Sequence, residues 1–141
     1  FVATFIGVPA INLIEGEIQT GDGVRFVSTD VSLSLTGKVA ELAGRYPGRK
    51  VKLALRPQSF RDRMFLPEEQ RNSVPVISGR VEVLENLGSE LHLIVKSGDV
   101  FLNVTLDARS RLKLDDRIDL VPQFDEAHLF DNVSGTNLNR L

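Results

Sequence analysis

Residues 77–106 read ISGRVEVLENLGSELHLIVKSGDVFLNVTL, and this stretch decides the fold class. Apolar residues recur at Ile77, Val81 and Val83, then at Leu91, Leu93 and Val95, then at Val100, Leu102, Val104 and Leu106. A period of two is what a half-buried strand requires, because successive side chains leave a pleated backbone on opposite faces. Between the runs stand Asn86-Leu87-Gly88 and Ser97-Gly98-Asp99, where glycine supplies the backbone freedom of a tight turn. Gly88 is expected to take a left-handed turn position that a side chain would strain.

The same rhythm extends upstream. Asn12 to Gln19 reads as a strand, Gly21-Asp22-Gly23 as a turn, and Val24–Ser28 and Val31–Leu35 alternate again. Val39, Leu42, Ala43 and Tyr46 sit at helical spacing before Pro47-Gly48, predicting one short internal helix. Val51, Leu53 and Leu55 form another strand, which Pro57 ends because it has no N–H for a ladder. Residues 61–75 are polar and punctuated by Pro67 and Pro75, predicting an exposed insertion between two lobes at 10–60 and 76–141. Ile118, Leu120 and Leu129-Phe130 supply short final strands. Residues 1–9 carry apolar side chains at helical spacing, and are expected to be the end of a linker helix from an upstream domain. Many short strands with turns every eight to twelve residues predict a mainly β sandwich or small barrel.

Composition excludes several functions. The 141 residues include no cysteine, so thiol catalysis, disulfides and Cys-ligated zinc are out. No apolar run approaches the ~20 residues that span a bilayer. Residues 1–75 carry ten Lys/Arg against eight Asp/Glu, and residues 76–141 seven against eleven. Neither balance is that of a phosphate-backbone binder, and with no Trp and one Tyr the aromatic platform for stacking bases is missing. Nucleic acid is therefore not an expected partner.

No catalytic constellation emerges. Thr36-Gly37-Lys38-Val39 lacks the first glycine and the magnesium-binding hydroxyl of a phosphate loop. Glu90 and His92 share one strand face, but two groups do not make a metal site. Asp125, Glu126 and Asp131 gather near His128 without the regular oxygen spacing or glycine of a calcium loop. No cofactor or metal is expected in this segment.

Four blocks together resemble a known family. Phe1 to Asn12 is similar to the stretch that joins the ATPase to its accessory domain in maltose- and glycerol-3-phosphate-type ABC importers. Leu53-Ala54-Leu55-Arg56-Pro57-Gln58 resembles that family's "G-I-R-P-E" strand end. Gly79 to Glu90 resembles its "V-x-x-x-E-x-L-G-x-E" hairpin, which carries Glu85 and Gly88. His128-Leu129-Phe130-Asp131 matches its late "H-L-F-D". The blocks occur in the family's order. Departures are Ala54 for Gly, Gln58 for Glu, Ile11 for a frequent Met, and a longer, more polar 61–74.

The resemblance implies an OB-type barrel over 10–141, related to molybdate-binding (MOP-like) modules, that serves dimerisation and regulation. Arg56, Pro57, Glu85, Gly88, Phe130 and Asp131 are its structural motif residues. Phe130 is expected to anchor the C-terminal turn in the core, and Arg56 to pair with Glu85 or a late aspartate. ATP and magnesium would bind only in an upstream domain. Partners implied are a second copy, membrane permease subunits and a cytoplasmic regulatory protein, at the inner membrane face. The alternative is an oxyanion-binding module of the molybdate type, against which stands the want of a clustered Ser-Arg-Asn motif.

Overall fold

The computed structural model describes residues 11–140, so the helix expected over 1–9 lies outside the described residues. Among the described residues, ten strands form two five-stranded sheets. The strands are β1 (Asn12–Gly21), β2 (Gly23–Val27), β3 (Ser32–Ser34), β4 (Lys50–Leu55) and β5 (Phe60–Asp62). Then come β6 (Ile77–Asn86), β7 (Glu90–Ser97), β8 (Val100–Asp107), β9 (Arg117–Pro122) and β10 (His128–Asp131). The expected helix is α1 (Gly37–Ala43), which turns Val39 and Ala43 into the core.

The first sheet runs β10-β4-β1-β2-β3 and the second β5-β9-β6-β7-β8, with antiparallel pairing throughout. Neither sheet is drawn from one continuous half of the chain. The lobe boundary expected between residues 60 and 76 is crossed by two strands: β5 joins the second sheet and β10 the first. Alternation identifies strands but carries no information about which distant strand each will pair with, which is why the exchange is invisible in the sequence. The second sheet curls until its edge strands β5 and β8 come into contact. The result is the mainly β, OB-type architecture.

One continuous apolar cluster fills the space between the sheets. It includes Ile14, Ile18, Phe26 and Leu53 from the first, and Val81, Val95, Leu102 and Leu120 from the second. Gly16 is where β1 makes room for it. A Cβ there would lie 2.5 Å from Phe26 Cζ and 2.8 Å from the Val27 carbonyl oxygen, so the fully buried Phe26 ring occupies the space a side chain would need.

The second sheet contains an irregularity that alternation conceals. Arg80 pairs with Lys96 and Val81 with Val95, but Val83, not Glu82, pairs with Ile94. The extra residue is a β-bulge, which shifts the pleat by one. Val81 therefore points inward at 0% exposure while Val83 lies outside at 48%. The expectation that both belong to one buried face fails for that reason.

Candidate functional site

The motif residues are distributed over both sheets and do not form one site. Arg56 follows β4 and Phe130 and Asp131 lie on β10, its neighbour; Glu85 and Gly88 lie on the β6–β7 hairpin of the other sheet. Pro57 is buried at the start of a single 3-10 turn after β4. Gly88 has φ +93°, and its N–H donates to Asn86 Oδ1 at 2.9 Å, closing the hairpin. Glu85 is exposed and sits opposite His92 across the ladder.

Three expectations need correction. Arg56 meets neither Glu85 nor an aspartate; its Nε lies 3.9 Å from Glu126, and both side chains are exposed. Phe130 does not anchor the core. It faces outward, half-buried and 6.4 Å from the His128 ring, while Leu129 at 0% exposure faces in. On a strand the two neighbours in "Leu-Phe" cannot both point inward. The 61–75 segment is more than an exposed insertion, since its first residues belong to β5 and Asp62 is buried. Arg63 then ties it to β9, donating to Asp119 at 3.2 Å and to the Arg71 carbonyl at 2.8 Å.

Asp131 is the most strongly held carboxylate. It accepts the amides of Ser134 at 3.0 Å and Val133 at 2.9 Å, and Arg49 Nη1 at 2.6 Å. The Ser134 amide, then the Arg49 guanidinium, then the Val133 amide stabilise its charged form and hold its pKa down to about 2. Arg49 in turn lies over the Tyr46 ring at 4.9 Å. This is structural chemistry: it pins the turn after β10 to the segment between α1 and β4.

Neither histidine gathers a metal site. His92 Nε2 lies 3.7 Å from Glu90, and His128 Nδ1 lies 3.2 Å from the Asn137 carboxamide. Among the described residues, no group of three His, Asp or Glu has the geometry to hold a metal ion. Thr36, Gly37 and Lys38 line an open cleft of about 570 Å³ with residues 73–75 and 121–125, a mixed surface with apolar and polar patches.

The outer face of the second sheet carries two rows that sequence reasoning missed. In one, Arg117 on β9, Arg80 on β6 and Lys96 on β7 are successive cross-strand partners, continued by Phe101 on β8. The Lys96 ammonium lies 5.7 Å from the Phe101 ring centre. The three cations border a cleft of about 270 Å³ that Ser78, Glu82 and Gly98 also line. In the other row, Val83, Ile94 and Asn103 are partners, so Ile94 lies diagonal to Phe101, itself 57% exposed, with Val83 one strand further on. The bulge assembles this face, and no residue-by-residue signal announces a bulge.

No family model matches the sequence. The chain is 34% identical over 134 residues to the uncharacterized ABC transporter ATP-binding protein YurJ of Bacillus subtilis. It is 33% identical over 142 residues to the trehalose/maltose import ATP-binding protein MalK of Thermococcus litoralis. It is 30% identical over 136 residues to the sn-glycerol-3-phosphate import ATP-binding protein UgpC of Escherichia coli. These matches cover 93%, 96% and 96% of this chain, but the chain spans only 36%, 36% and 35% of those relatives' lengths. Among solved structures, the cytoplasmic molybdate-binding protein ModG superposes with a TM-score of 0.59 at 13% identity, covering 89% of this chain and 97% of that one. That likeness speaks for the fold alone. Matches along nearly the whole chain, joined to this OB-type architecture, place it in the family of sugar-importer ABC ATP-binding proteins, as the counterpart of their C-terminal, TOBE-type part.

Proposed function

We propose that the chain is a non-catalytic dimerisation and regulatory domain of the ATP-binding subunit of an ABC importer for a sugar or related solute. The observation that carries this reading is the apolar group Val83, Ile94 and Phe101 on the outside of the second sheet, with Val83 and Phe101 48% and 57% exposed. Ile11 and Leu13, 52% and 55% exposed, flank Asn12, whose carboxamide is bonded to the backbone of Asn103 on the edge strand β8. A second copy offers the matching surface, since a two-fold contact presents the same patch from each side. The polar 61–75 segment, whose charges are costly to desolvate, stays outside the contact.

Relatives named as import ATP-binding proteins support the setting: a cytoplasmic transport ATPase at the inner membrane face, working with permease subunits and open to a regulatory protein. ATP and magnesium belong to a separate nucleotide-binding domain. An accessory contact keeps two such domains paired while they open and close. Even a Kd of roughly 1 mM corresponds to about 4 kcal/mol, enough to bias tethered domains toward pairing.

Sedimentation equilibrium over a concentration series tests the reading. The chain is expected to show a monomer–dimer equilibrium that Phe101→Glu shifts to monomer, with the melting temperature little changed. A monomer at every concentration up to the millimolar range removes dimerisation from this chain.

A further inference from the structure

We propose that the row Arg117–Arg80–Lys96 binds a small, multiply charged anion of phosphate chemistry in the cleft it borders. The inference does not rest on the dimerisation reading, although the row ends at Phe101, which that reading places in the contact between copies.

The first support is placement. The three residues are direct cross-strand partners on adjacent strands β9, β6 and β7. Adjacent strands lie about 4.8 Å apart, and like charges directly opposite one another on a sheet are destabilising. All three side chains are exposed on the same face. Residues 76–141 carry seven Lys/Arg against eleven Asp/Glu, and three of those seven stand in this one row. An acid-rich stretch has ample means to intersperse signs, yet here it concentrates one.

The second support is that the nearby acids are engaged elsewhere or leave the row unpaired. Among the described residues, none of the three cations makes a salt bridge. Asp119, one row along, accepts Ser78 Oγ at 2.7 Å and Arg63 Nη1 at 3.2 Å. Asp30 accepts the Asp99 amide at 3.2 Å, on the turn that follows Lys96. Glu82 lines the cleft and forms no ion pair with the row. Its carboxylate repels an anion in proportion to that anion's charge, so one negative side chain stands against the three cations of the row.

The third support is size. A cleft of about 270 Å³ suits a small molecule rather than a helix or a folded partner. Three cations in line span about 10 Å at that strand spacing, so an anion with charge at two points meets at least two of them. A carboxylate meets one. Because the site is open to water, its affinity falls steeply with ionic strength.

Calorimetric titration of the 141-residue chain with pyrophosphate, inorganic phosphate, molybdate, acetate and poly-glutamate tests the proposal. Pyrophosphate is expected to bind more tightly than phosphate, and acetate not to bind. Arg80→Gln and Lys96→Gln should each weaken pyrophosphate at least tenfold, while Arg111→Gln, an exposed cation outside the row, leaves it unchanged. In ligand-free protein at low salt, Arg80→Gln should melt at the same temperature as the parent or higher, because it relieves repulsion. The proposal is overturned by an absence of pyrophosphate binding at millimolar concentration, or by equal affinities for the Arg80 and Arg111 variants. Binding of molybdate alone overturns the phosphate assignment. Binding of poly-glutamate without pyrophosphate marks the face as a protein-docking surface and overturns it too.

Discussion

The carboxamide of Asn12 closes both backbone hydrogen bonds of Asn103, accepting its N–H at 2.7 Å and donating to its carbonyl at 2.9 Å. The two residues lie 91 positions apart, on different sheets. Asn12 also donates to the Leu55 carbonyl at 3.1 Å, and it is only 4% exposed. One side chain thus serves as a missing strand between β1 and the outer edge of β8.

Asn12→Ala is expected to destabilise the chain by about 1–3 kcal/mol, because it strands the Asn103 N–H and two carbonyls in a buried place. Asn12→Asp should do no better, since a carboxylate cannot donate to either carbonyl. Urea denaturation midpoints check both. A midpoint for Asn12→Ala equal to the parent's would show that water replaces the stitch without cost.

Gly88→Val forces a β-branched residue to φ +93°, with a cost of about 1–3 kcal/mol. No atom lies within 4 Å of a Cβ built there, so the cost is backbone strain and not a clash. Glu69→Ala, on an exposed 3-10 turn, should stay within about 0.5 kcal/mol. Thermal melts of the two variants should differ by several degrees.

Gly16→Ala pushes a methyl group into the Phe26 ring and is expected to cost about 1–3 kcal/mol by overpacking. Combining it with Phe26→Leu should cost less than the sum of the two single changes, because the smaller side chain vacates the contested space. A double-mutant cycle measures this coupling, and strict additivity would place the strain elsewhere.

Acid titration should reveal Asp131. Its folded pKa of about 2 lies below the ordinary carboxylate value, so its charge stabilises the fold at neutral pH. That contribution is complete above pH ~4 and is lost as pH falls through about 2. Asp131→Asn is therefore expected to be less stable than the parent at pH 7, with the gap narrowing toward pH 2. Stability measured by urea at stepped pH gives the answer, and a gap constant with pH would assign the loss to packing.

Every described strand but β5, the glycine turns and α1 were legible in the residues, because period-two alternation and glycine turns act locally, whereas the three-residue β5 is too short to show a period. The inward phase of β1 even points to Asn12: it occupies the same alternation as Ile14 and Ile18, a polar residue where an apolar one belongs. What lay beyond the sequence depends on pairing. The bulge at Glu82 placed Val83 outside, and only the register aligned Arg80 with Lys96 and Arg117. Similarly, "Leu-Phe" on β10 left open which of two neighbours faces the core until Leu53 was seen opposite Leu129.

The exchange of β5 and β10 between sheets bears on how the chain acquires its shape during synthesis. A ribosome delivers β4 long before β10, yet β4 gains its second neighbour only when residues 128–131 have emerged. Until then the first sheet ends in a bare strand, open to pairing with another nascent chain. Lys50 and Lys52 on that strand are charges that discourage such association. Any stop codon before residue 128 leaves the edge permanently uncovered, and the expected outcome is insoluble protein rather than a smaller folded one.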